Sequence, residues 1–180
     1  KNKKVIWIHA ASVGEFKSAD YIISKYYNDF TILITTTTVS AAEYAKKYYE
    51  NKIIHQFAPL DIDLWVKKFL INWDPKLIIW IESDLWPNTL HLIKKNNINA
   101  ILLNLRVSPK SLKRWQLIPF FYDSLIKCFT EVFTQSEIDQ KRIKLLTNQN
   151  ISFFGNLKLK NLKIKKIKKK EIKKNSKIIT

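Results

Sequence analysis

The sequence predicts an α/β fold, in which a Rossmann-like parallel sheet is covered by helices on both faces. Short apolar runs alternate with amphipathic stretches along all but the last part of the 180 residues, which is the pattern of successive β-α units. The run 76–81 is apolar almost throughout, as in a strand buried on both faces. Polar residues follow the ends of these runs, where open α/β sheets bind their ligands.

The composition fits one folded domain. With 46% apolar and 13% aromatic residues the chain can build a core, so disorder of the whole chain is excluded. The single Cys128 excludes a disulfide framework and favours a reducing compartment, and no Cys/His cluster has the spacing of a metal site. No apolar run approaches the roughly 20 residues that span a bilayer, and the first residues lack a signal-peptide pattern.

The formal charge of +17 is unevenly distributed. Residues 156–180 contain 11 Lys and one Glu, so this tail carries +10 and residues 1–155 carry +7. This excess of positive charge suits an anionic partner, and three kinds are open: nucleic acid, a phosphorylated substrate and an anionic membrane surface. The tail itself is open to three interpretations: a solvated segment, a helix lying on the surface, or a linker between domains.

The first half of the chain predicts three strands, each followed by a helix. Ser12 with Glu15 and Ser40 with Glu43 each have the Ser-x-x-Glu spacing of a capping box, which marks a helix start. The predicted elements are the strands Val5–His9, Thr31–Thr35 and Ile53–Phe57, and helices over 14–27, over 40–49 and from the loop at Asp61 to about Ile71.

The second half continues the alternation. Pro87 suits the first turn of a helix, Asp84 is a candidate cap for that helix, and Pro119 must interrupt the helical stretch that ends at Lys127. The predicted elements are the strands Lys76–Ile81, Ala100–Asn104, Glu131–Thr134 and Ile151–Phe154, and helices from Pro87 to about Asn96, between Ser108 and Lys127, and from Ser136 to Leu146.

The polar residues at the strand ends describe one rim of the predicted sheet. Each of them is weak evidence alone, because loops are polar in any fold, but the carboxyl ends of parallel strands share one edge. In strand order the rim residues are Ser12 with Glu15, the run 35–38 of four threonines, Asp61, Glu82, Arg106 with Ser108, Gln135, and Lys158.

The segment His9-Ala10-Ala11-Ser12-Val13-Gly14-Glu15 is the strongest candidate for a substrate site. Ser12 can cap the first helix, Gly14 lets a ligand approach the backbone, and Glu15 places a carboxylate beside the rim. The simpler interpretation is that Ser12 and Glu15 only satisfy backbone N–H groups as a capping box. These seven residues alone leave both interpretations open.

Five segments together resemble the 3-deoxy-D-manno-octulosonic acid (Kdo) transferases of lipopolysaccharide synthesis. They occur in the family's order, and the resemblance covers about residues 5–160. The segments are His9 to Glu15, Glu82-x-Asp84-Leu85-Trp86-Pro87-Asn88, Asn104-x-Arg106-x-Ser108, Gln135-x-x-x-Asp139-x-x-Arg142 and Gly155-Asn156-Leu157-Lys158.

The resemblance implies an inverting glycosyltransferase of the GT-B class, which transfers Kdo from CMP-Kdo to the lipid A precursor. Residues 1–157 would form its amino-terminal, acceptor-binding domain, and residues 158–180 a Lys-rich linker toward a carboxy-terminal domain that binds CMP-Kdo. That domain and the family's amino-terminal membrane anchor are not in this chain, so we expect an incomplete enzyme that is inactive alone. The expected location is the cytoplasmic face of the bacterial inner membrane, with no cofactor beyond the donor substrate.

The resemblance also implies roles for single residues. Glu15 matches the family's general base, and Glu82 and Lys158 match two groups that stabilise the transition state. We expect the helix dipole to keep Glu15 ionised and to weaken its basicity. Glu82 has a simpler interpretation, as a cap or an ion-pair partner of Arg106. The candidate acceptor-binding residues are Ser12, Gly14, Thr35, Thr36, Thr38, Arg106, Ser108 and Asn156.

Other functions fit the sequence less well. The alternative is a basic α/β module that binds nucleic acid, but the charge is concentrated in the tail and no aromatic-glycine recognition signature is present. A dinucleotide dehydrogenase is excluded because no G-x-G-x-x-G follows the first strand and the chain has only two glycines. A serine hydrolase is excluded because Ser12 lacks a nucleophile elbow.

Overall fold

The computed structural model describes residues 3–82 and 84–153. This part of the chain alternates strands and helices, as the sequence predicts. Its strands are β1 (Val5–His9), β2 (Thr31–Thr36), β3 (Ile54–Phe57), β4 (Leu77–Ile81), β5 (Ala100–Leu105), β6 (Glu131–Thr134) and β7 (Ile151–Phe153). Its helices are α1 (Val13–Tyr26), α2 (Val39–Tyr49), α3 (Asp63–Trp73), α4 (Pro87–Lys95), α5 (Pro109–Trp115), α6 (Pro119–Ile126) and α7 (Glu137–Ile143). Phe154 and the Lys-rich residues 158–180 lie outside the described residues.

The strands form one parallel sheet in the order β3-β2-β1-β4-β5-β6-β7. The chain therefore builds outward from β1 to β3, crosses back to β4, and builds outward in the other direction. Right-handed crossovers place helices on opposite faces for these two halves. The predicted Rossmann-like sheet with helices on both faces is confirmed.

Two hydrophobic cores lie on the two faces of the sheet. One contains Phe16, Ala19 and Ile23 of α1 with Ala45 of α2. The other contains apolar residues of α3, α4, α6 and α7. Strand β4 contributes alternate residues to both cores, so its sequence is apolar throughout because both of its faces are buried.

Two predicted helix caps are wrong. Helix α2 begins at Val39, one residue before Ser40, and its cap is Thr38, which is extended and whose side chain accepts from the Ala41 N–H. Helix α4 is capped from another loop: the Asp61 carboxylate accepts from the N–H groups of Asn88 (3.1 Å) and Thr89 (2.7 Å), and Asp84 is not used. These contacts tie the loop after β3 to the start of α4.

Most other boundaries agree within a few residues. The predicted interruption by Pro119 is confirmed, because α5 ends at Trp115 and α6 begins at Pro119. Helix α3 continues past Ile71 to Trp73 and ends on Asp74 in the left-handed region. Helix α7 ends three residues before Leu146.

Candidate active site

The ends of β1 and β4 lie next to each other at the centre of the sheet. His9 of β1 pairs with Thr35 of β2 on one side and with Trp80 of β4 on the other. The chain leaves β1 toward α1 on one face and leaves β4 toward α4 on the other, since these helices contribute to different cores. A sheet opens a crevice at such a switch point, and Glu15 and Glu82 both follow strands that end there.

Glu15 and Ser12 form a capping arrangement at the start of α1. The Ser12 side chain accepts from the Glu15 N–H at 3.4 Å, and Glu15 Oε2 accepts from the Ala11 N–H at 2.6 Å. Glu15 Oε1 accepts from Ser12 Oγ at 3.3 Å. The Ser12 half of the predicted capping box is confirmed, whereas the Glu15 carboxylate accepts from the N–H of Ala11 and not from that of Ser12. These contacts leave room for the catalytic interpretation, because each carboxylate oxygen has a second lone pair.

The pKa of Glu15 is raised above its usual value. Partial burial is the main cause, and the negative charges of Glu82 and Asp84 add to it, against the lowering effect of hydrogen bonds from Ala11 and Ser12. Burial therefore outweighs the hydrogen bonds that stabilise the anion, and the net shift is upward although Glu15 lies in the first turn of α1. A raised pKa makes the ionised carboxylate a stronger proton acceptor.

Glu82 lies in a cluster with Asn104 and Arg106. Glu82 is only 5% exposed, and its carboxylate accepts from Asn104 Nδ2 at 3.2 Å. Arg106 Nε lies 3.4 Å from Glu82 Oε2, so the ion pair of the simpler interpretation is present. Glu82 and Asn104 both have positive φ, at 67° and 60°, which is strained for residues with a Cβ. Asn104 carries the contact to Glu82, and sequence reasoning assigned it no role.

The backbone of Val107, between Arg106 and Ser108, is held from α7. Asp139 Oδ1 accepts from the Val107 N–H at 3.0 Å, and Arg142 Nη1 donates to the Val107 carbonyl at 3.1 Å. The Asp139 carboxylate also accepts from Ser136 Oγ. The predicted segment from Gln135 to Arg142 therefore fixes the loop that carries two candidate acceptor ligands, a role that the spacing of its residues did not reveal.

Two of the threonines proposed as acceptor ligands have partners inside the protein. Thr35 is fully buried, and its hydroxyl accepts from Trp7 Nε1 at 2.8 Å and lies 3.0 Å from His9 Nδ1. Thr36 is also fully buried, and its hydroxyl oxygen lies 2.9 Å from His55 Nε2. The structure thus places both side chains in the interior, as the last two residues of β2.

The remaining candidates are nearer to solvent. Thr38 and Ser108 are exposed N-caps of α2 and α5, Gly14 is exposed in the first turn of α1, and Ser12 is half-buried. Asn156 and Lys158 lie outside the described residues. Trp86 packs against the core beside His9, with ring centroids 5.0 Å apart.

In residues 3–82 and 84–153, no three His, Cys, Asp or Glu side chains lie in a group that could hold a metal ion. None of the helices in this part of the chain has the length and apolar character to cross a bilayer.

The fold and the site define an α/β protein with an acidic candidate site at the switch point of a parallel sheet. The profile of the family described as "3-Deoxy-D-manno-octulosonic-acid transferase (kdotransferase)" matches residues 1–161. The chain belongs to this Kdo transferase family, as its motifs predict. The family does not favour the alternative of a nucleic-acid-binding module.

Individual proteins similar to this chain carry the same description as the family. A 3-deoxy-D-manno-octulosonic acid transferase of Rickettsia bellii is 39% identical over 160 residues, which are 87% of this chain and 38% of that protein. A probable mitochondrial 3-deoxy-D-manno-octulosonic acid transferase of Arabidopsis thaliana is 40% identical over 162 residues, 86% of this chain and 36% of that protein. This chain thus spans little more than a third of the length of these curated relatives.

Among solved structures, a UDP-GlcNAc 2-epimerase from Neisseria meningitidis resembles this chain with a TM-score of 0.61 at 12% identity. The match covers 96% of this chain and 52% of the epimerase. At this identity the likeness concerns the fold alone, and it supports the Rossmann-like assignment.

Proposed function

We propose that this chain is the acceptor-binding part of a GT-B glycosyltransferase that transfers Kdo from CMP-Kdo to the lipid A precursor. The observation that carries the proposal is the Glu15 carboxylate, half-buried in the first turn of α1 after β1 and with a raised pKa, in a member of the Kdo transferase family. Residues 1–157 form the acceptor domain, residues 158–180 lead to the domain that binds the donor, and the reaction uses no further cofactor.

In the proposed reaction Glu15 is the general base. Its carboxylate takes the proton from the acceptor sugar hydroxyl while that oxygen attacks the anomeric carbon of Kdo. The bond from that carbon to the phosphate of CMP breaks, and its electron pair leaves with CMP. Lys158 balances the charge that develops on the phosphate, and Glu82, held by Asn104 and Arg106, stabilises the positive charge at the anomeric carbon.

The acceptor is held by groups along the same rim. Arg106 pairs with Glu82 through Nε and has a side chain that is 62% exposed, and Ser108 is exposed two residues later, so both lie where a phosphorylated sugar can reach them. Ser12, Gly14, Thr38 and Asn156 complete this set. We leave out Thr35 and Thr36 because their hydroxyls have partners in the interior.

The proposed location is the cytoplasmic face of the bacterial inner membrane. Support comes from the segment 106–122, which carries Arg106, Lys110, Lys113 and Arg114 and no acidic residue. The same segment exposes large apolar side chains at the junction of α5 and α6, a combination that suits an anionic lipid surface. The proposal includes no nucleic-acid partner.

The test is a transfer assay on a chimera, in which this chain replaces the matching residues of the Rickettsia bellii transferase. Glu15→Gln keeps the size of the side chain and an acceptor for the Ala11 N–H but removes the base. We expect transfer to fall by about 10²–10⁴-fold. Glu43→Gln, on the exposed side of α2, is the control and should leave transfer unchanged. An active Glu15→Gln chimera would refute the assignment of the base.

A further inference from the structure

Two adjoining cavities share Arg106, Val107 and Ser111 in their walls. The first has a volume of about 380 Å³ and lies between the loops after β4 and β5 and the helices α5 and α6. The second has a volume of about 460 Å³ and lies between the loop after β5 and the start of α7. Both volumes fall in the range of small-molecule sites, which is roughly 300–1,000 Å³.

The first cavity is apolar inside and basic at its edge. Its walls include Leu85, Leu105, Trp115 and Ile118, together with the buried Tyr122, and Arg106 and Arg114 contribute the charge. Six of the nine residues that line this cavity have aliphatic or aromatic side chains. Its interior therefore suits a hydrocarbon chain better than a sugar, whose hydroxyl groups each need a partner.

The second cavity is polar. It is lined by the side chains of Arg106, Ser108, Gln135 and Arg142, and by Asp139. The Asp139 carboxylate is already used by the Val107 N–H and the Ser136 hydroxyl, so it repels an anion less than an unpaired acid would. Two guanidinium groups with hydroxyl and amide donors are suited to a phosphate monoester.

The mouth of the apolar cavity lies beside exposed apolar residues at the junction of α5 and α6. Leu117 is 82% exposed and Phe120 is 89% exposed, and they flank Ile118, which lines the cavity. Exposed residues of this size next to an apolar cavity mark a contact surface for an apolar ligand or a bilayer.

We propose that the two cavities together bind one anionic amphiphile, with a phosphate in the polar cavity and one acyl chain in the apolar cavity. Arg106 stands between the two and marks the boundary between head group and chain. The inference rests on the proposed function, because it specifies how a phosphorylated glycolipid acceptor is held. It adds the acyl chain as a second determinant of recognition, apart from the reacting sugar.

The test is direct binding to the 180-residue chain, which requires no transfer activity. The probes are inorganic phosphate and a series of n-alkyl phosphates from butyl to dodecyl, below their aggregation concentrations. Binding is followed by the indole N–H resonance of Trp115, which lies in the wall of the apolar cavity. We expect affinity to rise about fourfold per methylene until the cavity is filled.

Three variants separate the two parts of the site. Ile118→Asp puts a charge in the mouth of the apolar cavity and should abolish the dependence on chain length while leaving inorganic phosphate binding unchanged. Leu117→Asp is the matched control, since Leu117 is exposed but does not line the cavity, and it should keep the dependence. Arg106→Gln should weaken all phosphates by a similar factor and keep the slope.

Each contrary outcome has a defined meaning. Equal affinity for all chain lengths overturns the inference, and so does a dependence that Leu117→Asp removes and Ile118→Asp keeps, since the chain would then lie on the outer surface. Neither result bears on Glu15 as the base, which the transfer assay tests separately. A normal chain-length dependence combined with an active Glu15→Gln chimera would refute the proposed mechanism and leave the amphiphile site intact.

Discussion

Replacement of Asp139 by Ala should destabilise the domain and release the loop that carries Arg106 and Ser108. The change leaves the N–H of the buried Val107 without a partner, which costs about 1–3 kcal/mol. It also removes the carboxylate that accepts from Ser136 at the cap of α7, a loss of about 1 kcal/mol. The expected total is roughly 3 kcal/mol, or about 6–12 °C in Tm for a domain of this size.

The assay is thermal unfolding together with hydrogen exchange at the Val107 amide. Asp139→Asn retains an oxygen for Val107, so we expect it to lose less than half as much stability as Asp139→Ala. Glu137→Ala, exposed in the same turn of α7, is the control and should stay within about 0.5 kcal/mol of the parent. A Tm for Asp139→Ala within about 2 °C of the parent, with an unchanged Val107 exchange rate, would refute the reasoning.

Three further predictions concern other residues of the site. Asp61→Ala should destabilise the protein by about 1–2 kcal/mol in chemical denaturation, because α4 loses its cap, whereas Asp63→Ala, which breaks only an exposed ion pair, should cost less than about 0.5 kcal/mol. Glu82→Gln removes a negative charge that adds to the effect of burial, so the pKa of Glu15 should fall when its side-chain carboxyl is titrated by ¹³C NMR; an unchanged or higher pKa would contradict the proximity of the two carboxyl groups. Burial lowers the pKa of His9 to about 3, so the folded state holds His9 neutral and the unfolded chain gains a proton below about pH 6.5. Stability should therefore fall between about pH 6.5 and 3, by up to about 1.4 kcal/mol per pH unit, and a His9→Phe variant with the same acid-induced loss would disprove this origin.

The sequence predicts the sheet and the position of its rim because both follow from local patterns. Alternation of apolar runs with amphipathic stretches suffices for parallel β-α units, and parallel strands place all their carboxyl ends at one edge. Glu15 and Glu82 both follow strands that end at this edge for that reason. The sequence places both glutamates at this edge without knowledge of the strand order. The strand order adds that β1 and β4 are neighbours, which puts both glutamates near the centre of the sheet.

The contacts between loops could not be predicted in the same way. Asp61 caps a helix that begins 26 residues later, and Asp139 holds a backbone group 32 residues earlier. Capping rules consider only residues next to a helix start, so they favoured Asp84 and Ser40. The burial of Thr35 and Thr36 was missed because a run of four threonines does not reveal where a strand ends and a loop begins.

The strained backbone at Glu82 and Asn104 explains how the site keeps a second carboxylate near the base. A residue with a Cβ costs about 1–3 kcal/mol in the left-handed region, and glycine at either position would remove most of that cost. Glycine would also remove the carboxylate or the amide that holds it at 3.2 Å. The negative charge kept there adds to burial in raising the pKa of Glu15, so two strained strand ends contribute to the strength of the proposed base. The strain at β4 and β5 therefore has a chemical consequence at β1, across the switch point that separates the two halves of the sheet.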